Sequence, residues 1–108
     1  EIEGFKFQEE PFGSKSNRWL TAVRINKYIL GFDKEHIIKH LLKENIESRP
    51  IWKPMHLQPL YKNFNYVYTS KVSNSDTIYN EGICLPSGSN LSQLDQERVI
   101  NLILDLFS

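Results

Sequence analysis

Cysteine is almost absent from this sequence: Cys84 stands alone, so no internal disulfide can close. That excludes a disulfide-stapled secreted scaffold and fits a reducing, cytoplasmic setting. Neither sign of charge is in excess, with 13 Lys+Arg against 13 Asp+Glu. Nucleic-acid binding generally leaves a basic excess or stripe, so nucleic acid is not an expected partner. No apolar run approaches the ~20 residues of a membrane-spanning helix and no secretory leader is visible, so no membrane association is expected. Common catalytic signatures are missing too: there is no dinucleotide glycine fingerprint, no P-loop, and no Ser-His-Asp or Cys-His constellation. His36 and His40 have a spacing that can hold a metal, but lack a third ligand and the acidic residue that a zinc-protease helix carries between them. They are expected to be partly exposed surface histidines.

What is present fits one domain of 108 residues with a modest core. The chain starts at Glu1 and not at a methionine, and is expected to be a piece of a longer polypeptide. Residues 1–16 are expected to link it to a missing large domain, with residues 17–108 forming a small C-terminal domain. Phe5 and Phe7 alternate with polar neighbours, which predicts a short extended piece. Trp19 to Ile25 reads as a strand, with Trp19, Thr21, Val23 and Ile25 on one face.

Asp33 to Glu44 is the clearest predicted helix. Asp33 is its N-cap, Phe32 and Ile37 take the staple positions, and Asn45 can end it in the left-handed conformation. Ile37, Ile38, Leu41 and Leu42 form its apolar stripe, and Lys34, Glu35, Lys39 and Lys43 are expected in water. Ile46 to Ile51 reads as a strand and Leu57 to Asn63 as a short helical turn. Ser73 to Glu81 reads as a helix with Ile78 and Tyr79 facing inward and Gly82 after its end. Ile83 to Leu85 is a buried strand, in which Cys84 is expected to be inert packing. Ser87 to Asn90 reads as a turn delivering the chain to a last helix, Ser92 to Phe107. Ser92 and Asp95 resemble its capping box, Val99, Ile100, Ile103, Leu106 and Phe107 form its buried stripe, and Leu102 and Leu104 lie off it. The order predicts an α/β (α+β) sandwich, a small sheet with helices packed on it.

One stretch concentrates unusual chemistry. Glu47 to Pro59 holds three of the five prolines, one of the two tryptophans, the only methionine and one of the three histidines. Within it Arg49 can grip a carboxylate or phosphate through its planar fork, Lys53 supplies a point charge, and His56 can donate or accept near neutral pH. A stiff backbone presenting three such heads suits the wall of an anionic ligand's site; singly, each residue is equally consistent with a solvated or core position. Asn17 and Arg18, just before the strand at Trp19, form a second polar pair.

Three segments carry a family resemblance: Ser16 to Ala22, Glu47 to Pro59, and Gly82 to Leu91 followed by Asp95 to Val99. In this order they resemble the C-terminal part of the DegT/DnrJ/EryC1/StrS aminotransferases, especially those that aminate 4-keto nucleotide sugars for bacterial glycan synthesis. The resemblance runs from about Pro11 to the C-terminus. It implies the small C-terminal domain of a fold-type I, pyridoxal phosphate-dependent homodimer that moves an amino group, usually from glutamate, to a keto sugar. Arg49, Lys53 and His56, then Asn17 and Arg18, are the residues it implies for substrate binding. The family's Schiff-base lysine, its pyridine-nitrogen carboxylate and its ring-stacking aromatic all lie upstream of this region. None of the nine lysines here matches that lysine's motif, so by itself the chain is expected neither to bind pyridoxal phosphate covalently nor to transaminate. The alternative reading is a non-catalytic ligand-binding or dimerisation module on the same scaffold.

Overall fold

The computed structural model describes residues 2–108; Glu1, the first residue of the expected linker, lies outside them. Four strands, β1 (Phe5–Phe7), β2 (Thr21–Ile25), β3 (Arg49–Pro50) and β4 (Gly82–Leu85), form one sheet in the order β1-β2-β4-β3. Every neighbouring pair is antiparallel, with Ala22 opposite Cys84 opposite Arg49 and Val23 opposite Ile83. The helices are α1 (Lys27–Leu30), α2 (Lys34–Lys43), α3 (Asn74–Glu81) and α4 (Gln93–Leu104). This is the expected small α+β domain. Alternation along β2 puts Val23 and Ile25 on one face, where they join Ile83 of β4 and the inward residues of α2 and α4. Arg24 points the other way and is held by Glu81, with Nη2 2.6 Å and Nε 3.0 Å from the same carboxylate oxygen.

The strand expected around Phe5–Phe7 is present, and it is part of the sheet: the segment expected as a linker supplies the edge strand β1. The strand expected over 46–51 contracts to Arg49–Pro50. Pro50 has no amide hydrogen and cannot donate to a ladder, so the pairing stops almost where it starts. The short helix α1 was not legible in the sequence, because four residues carry no helical period. It is capped at both ends: the Asn26 side chain accepts from the Tyr28 amide, and Gly31 closes it at φ 79°.

In α2 the cap is as expected, with Asp33 accepting from the His36 amide at 3.1 Å. The His36 ring, hydrogen-bonded to the same carboxylate at 2.7 Å, holds Asp33 below the ordinary carboxylate range. Asn45 is left-handed at φ 58°, and the Ile46 amide returns to the Leu41 carbonyl at 3.0 Å. The stripe is narrower than expected. Ile37 and Leu41 are fully buried, but Leu42 is exposed. Lys34, expected in water, is buried: its ammonium donates to the Tyr79 carbonyl and lies 4.7 Å from the centre of the Tyr79 ring. A charged head matched by a carbonyl and an aromatic face can be held out of water.

Gly82 does not take the left-handed position after α3; at φ −94°, ψ 141° it is already the first residue of β4. In α4 the inward residues are Val99 and Ile103, with Leu102 and Leu106 partly buried, whereas Ile100 and Phe107 are largely exposed. The helix gives way to a 3-10 turn at Asp105–Phe107, which rotates Phe107 off the expected stripe and against the edges of Phe5 and Phe32. Ser92 caps α4 as expected, accepting from the Asp95 amide at 3.1 Å and donating to the Asp95 carboxylate at 2.6 Å. Ser92→Ala is expected to cost about 1 kcal/mol, a fall of roughly 4–8 °C in a thermal melt of the chain. An unchanged melting temperature would show that the cap carries no stability.

Candidate functional site

The three sequence segments that stand out are brought together at one end of the sheet. Trp19 precedes β2 and Trp52 follows β3, and β4 lies between those strands. Their indoles nevertheless meet, with ring centres 5.8 Å apart and planes at 32°. Both remain in water, at 70% and 63% exposure. The third segment joins through Ser87, whose hydroxyl donates to the Trp19 carbonyl at 3.1 Å.

The turn ahead of Trp19 is sharply set. Arg18 has φ 54°, an uncommon state for a side-chain-bearing residue. Asn17 Oδ1 accepts from the Trp19 amide at 3.1 Å and Ser16 Oγ accepts from the Arg18 amide at 3.0 Å, which holds the turn closed. Asn17 therefore spends its carbonyl on the backbone, and the guanidinium of Arg18 reaches Glu10 at 3.2 Å.

Arg49 stands on β3 with its guanidinium on Glu47, 2.7 Å from Nε and 2.5 Å from Nη2. Lys53 is exposed and has no carboxylate partner among the described residues. The pairs of Arg18 and Arg49 are open to solvent, and such pairs are worth about 0–1 kcal/mol. Either arginine can exchange its carboxylate for a more strongly charged ligand at little cost.

His56 is different from the other four. Its side chain is 11% exposed and its Nε2 lies 2.7 Å from Asp76 Oδ1 on α3, off the alignment of a hydrogen bond; the two polar atoms are in close contact and shut away from solvent. One flat side of the ring is stacked on Tyr66, with centres 3.7 Å apart and planes at 15°. Tyr66 is anchored by hydrogen bonds to Ser73 at 3.2 Å and Ser75 at 3.3 Å, which hold its phenol below the ordinary range. Asp76 and Tyr66 were missed in the sequence. Nothing local links Asp76 to a histidine twenty positions earlier.

Other candidates carry less. Burial pushes the Cys84 thiol up, which suits inert packing. Among the described residues no group of three metal-ligating side chains occurs, and no helix is long and apolar enough to cross a membrane. An apolar groove of about 800 Å³ runs between β1 and α4, lined by Phe5, Phe7, Leu85, Ile100 and Leu104; it contains none of the five candidate residues. Lys34 is committed to Tyr79, and the other lysines project into solvent from the surface.

Comparison with known proteins identifies the family. Residues 1–104 match the model of the DegT/DnrJ/EryC1/StrS aminotransferase family. The chain is 40% identical over 107 residues to EpsN of Bacillus subtilis (strain 168), a protein named as a pyridoxal phosphate-dependent aminotransferase. That alignment takes in 98% of this chain and 27% of EpsN. It is 32% identical over 82 residues to a GDP-perosamine synthase of Caulobacter vibrioides, covering 76% of this chain and 21% of that protein. The fold superposes on a DegT DnrJ EryC1 StrS aminotransferase from Brucella abortus with a TM-score of 0.77 and 25% identity, over 94% of this chain and 26% of that one. The chain thus spans about a quarter of the length of the relatives it matches. With the match running through nearly every residue and the fold agreeing, the chain belongs to the DegT/DnrJ/EryC1/StrS aminotransferase family.

Proposed function

We propose that this chain is the C-terminal domain, with β1 from the 1–16 segment included in its sheet, of a pyridoxal phosphate-dependent enzyme that aminates a keto nucleotide sugar for bacterial glycan synthesis. The observation that carries the reading is the 40% identity to EpsN across 98% of the chain. Glutamate is the proposed amino donor. A large domain of the same protein holds the cofactor, two copies form a dimer, and the enzyme works in the cytoplasm. Pyridoxal phosphate supplies the electron-sink chemistry from that other domain. No lysine of this chain is proposed to hold it.

The part proposed for this chain is substrate binding. Arg49 and Lys53 offer a fork and a point charge on a proline-stiffened segment, suited to the phosphates of a sugar nucleotide. Asn17 and Arg18 adjoin them through the Trp19–Trp52 contact. His56 belongs to the same wall.

Two measurements test this. Mixed with pyridoxal phosphate, this chain is expected to show no absorbance from a lysine-bound cofactor, whereas the full-length protein shows it and loses it on adding glutamate. A specific lysine adduct in the isolated chain would overturn the reading. In the full-length protein, Arg49→Ala is expected to weaken use of the nucleotide sugar about tenfold, the scale of one lost hydrogen bond to a charged group. The half-reaction with glutamate should be unaffected; equal damage to both halves would mean that Arg49 supports the cofactor or the fold.

A further inference from the structure

Asp76 sits in the first turn of α3. Its side chain is 27% exposed and faces a His56 ring that is 11% exposed. A contact so secluded is shut away from water far more than the open pairs of Arg18 and Arg49. Tyr66 closes the flat side of the same ring and is bonded to Ser73 and Ser75, at the start of the same helix. Two independent contacts therefore fasten the imidazole to one helix end.

From His56 the constraint runs back along the chain. His56 is the middle residue of the 3-10 turn Met55–Leu57, which Pro54 opens. Gln58 closes that turn, with its amide on the Met55 carbonyl at 3.0 Å, and its side chain donates from Nε2 to the Lys53 carbonyl at 3.3 Å. Pro54 and Pro59 fix two further φ angles. Few free torsions remain between Asp76 and the backbone of Lys53.

We propose that Asp76 is a positioning residue: through His56, with Tyr66 as its second hold, it pins the 53–61 segment to α3 and so fixes where Lys53 presents its charge. This rests on the reading of Arg49 and Lys53 as a substrate wall, and it gives His56 the task of holding that wall.

The pin is tested in the full-length protein by amide hydrogen exchange. Asp76→Ala is expected to speed exchange about tenfold at residues 55–61 and to leave α2 and α4 unchanged. His56→Ala should do the same, and the double variant should be no faster than either single one. Unchanged exchange at 55–61, or additive effects in the double variant, overturns the proposal whatever the kinetics show. The kinetic consequence is read separately. Asp76→Ala should raise KM for the nucleotide sugar severalfold with the glutamate half-reaction intact, and should add nothing in a Lys53→Ala background. If Lys53→Ala itself leaves KM unchanged, the substrate-wall reading fails, and the exchange result still decides the pin.

Discussion

Gly82→Ala is expected to destabilise the domain by about 3 kcal/mol or more, because the added carbon meets atoms that cannot all move. It would stand 2.5 Å from the Ile78 carbonyl oxygen and within the Ile51 side chain. The Ile78 carbonyl is fixed in α3. Ile51 is fixed by its own amide, which donates to the Gly82 carbonyl at 3.1 Å. Relief therefore requires α3 to shift from β4, or β3 and the proline-rich segment beyond it to leave the sheet. The expected fall in melting temperature is on the order of 15 °C. Ile51→Ala in the same background should recover only part of it, since the carbonyl contact stays. A loss under about 0.5 kcal/mol, the range of an ordinary surface change, would sink the account. Glycine is required here by close approach and not by a left-handed turn, as its φ of −94° makes plain.

The second large effect is expected at Leu41 and comes with a built-in control. Leu41 is fully buried and Leu42, the next residue on the same helix, is 63% exposed. Both substitutions to alanine change helix propensity equally, so the difference between them isolates burial. Leu41→Ala removes a side chain from the cluster it shares with Ile37, Val99 and Ile103, and should cost roughly 2–5 kcal/mol by lost transfer energy plus an unfilled cavity. Leu42→Ala should stay within about 0.5 kcal/mol. Denaturant titration of the two variants checks this; equal losses would mean that Leu42 is covered in the folded protein and that the narrow stripe is wrong. Domains of this size have total stabilities of about 5–15 kcal/mol, so the Leu41 change alone consumes a large fraction of the margin.

How much of this was legible beforehand follows from what is local. The caps at Asp33 and Ser92 were legible: both accept from the amide three residues on, and such bonds involve only one turn of chain. The strands at Trp19–Ile25 and Ile83–Leu85 were legible because an alternating or short apolar run has few other uses. The extent of a buried stripe was less so. Periodicity gave Ile37, Ile38, Leu41 and Leu42 one face, yet which edge of that face turns to solvent depends on the angle at which α4 lies against α2. Lys34 was misplaced for a related reason: a lysine is buried only if a partner is waiting, and its partner, the Tyr79 carbonyl, comes from a helix end forty-five residues away.

The sequence by itself determined the domain class, the caps at Asp33 and Ser92, the main strands and the family. It could do so because caps, strands and motifs are each read from short runs of residues, and the order of those runs along the chain gives the class and the family. Only the tertiary structure decided that Trp19 and Trp52 touch across an intervening strand, and that Arg49 and Arg18 are loosely paired while Lys53 is free of a partner among the described residues. It also decided that His56 faces Asp76 and Tyr66 and not open solvent. A side chain's chemistry is carried by its own residue, but whether that chemistry is available or already occupied is set by what the fold packs against it.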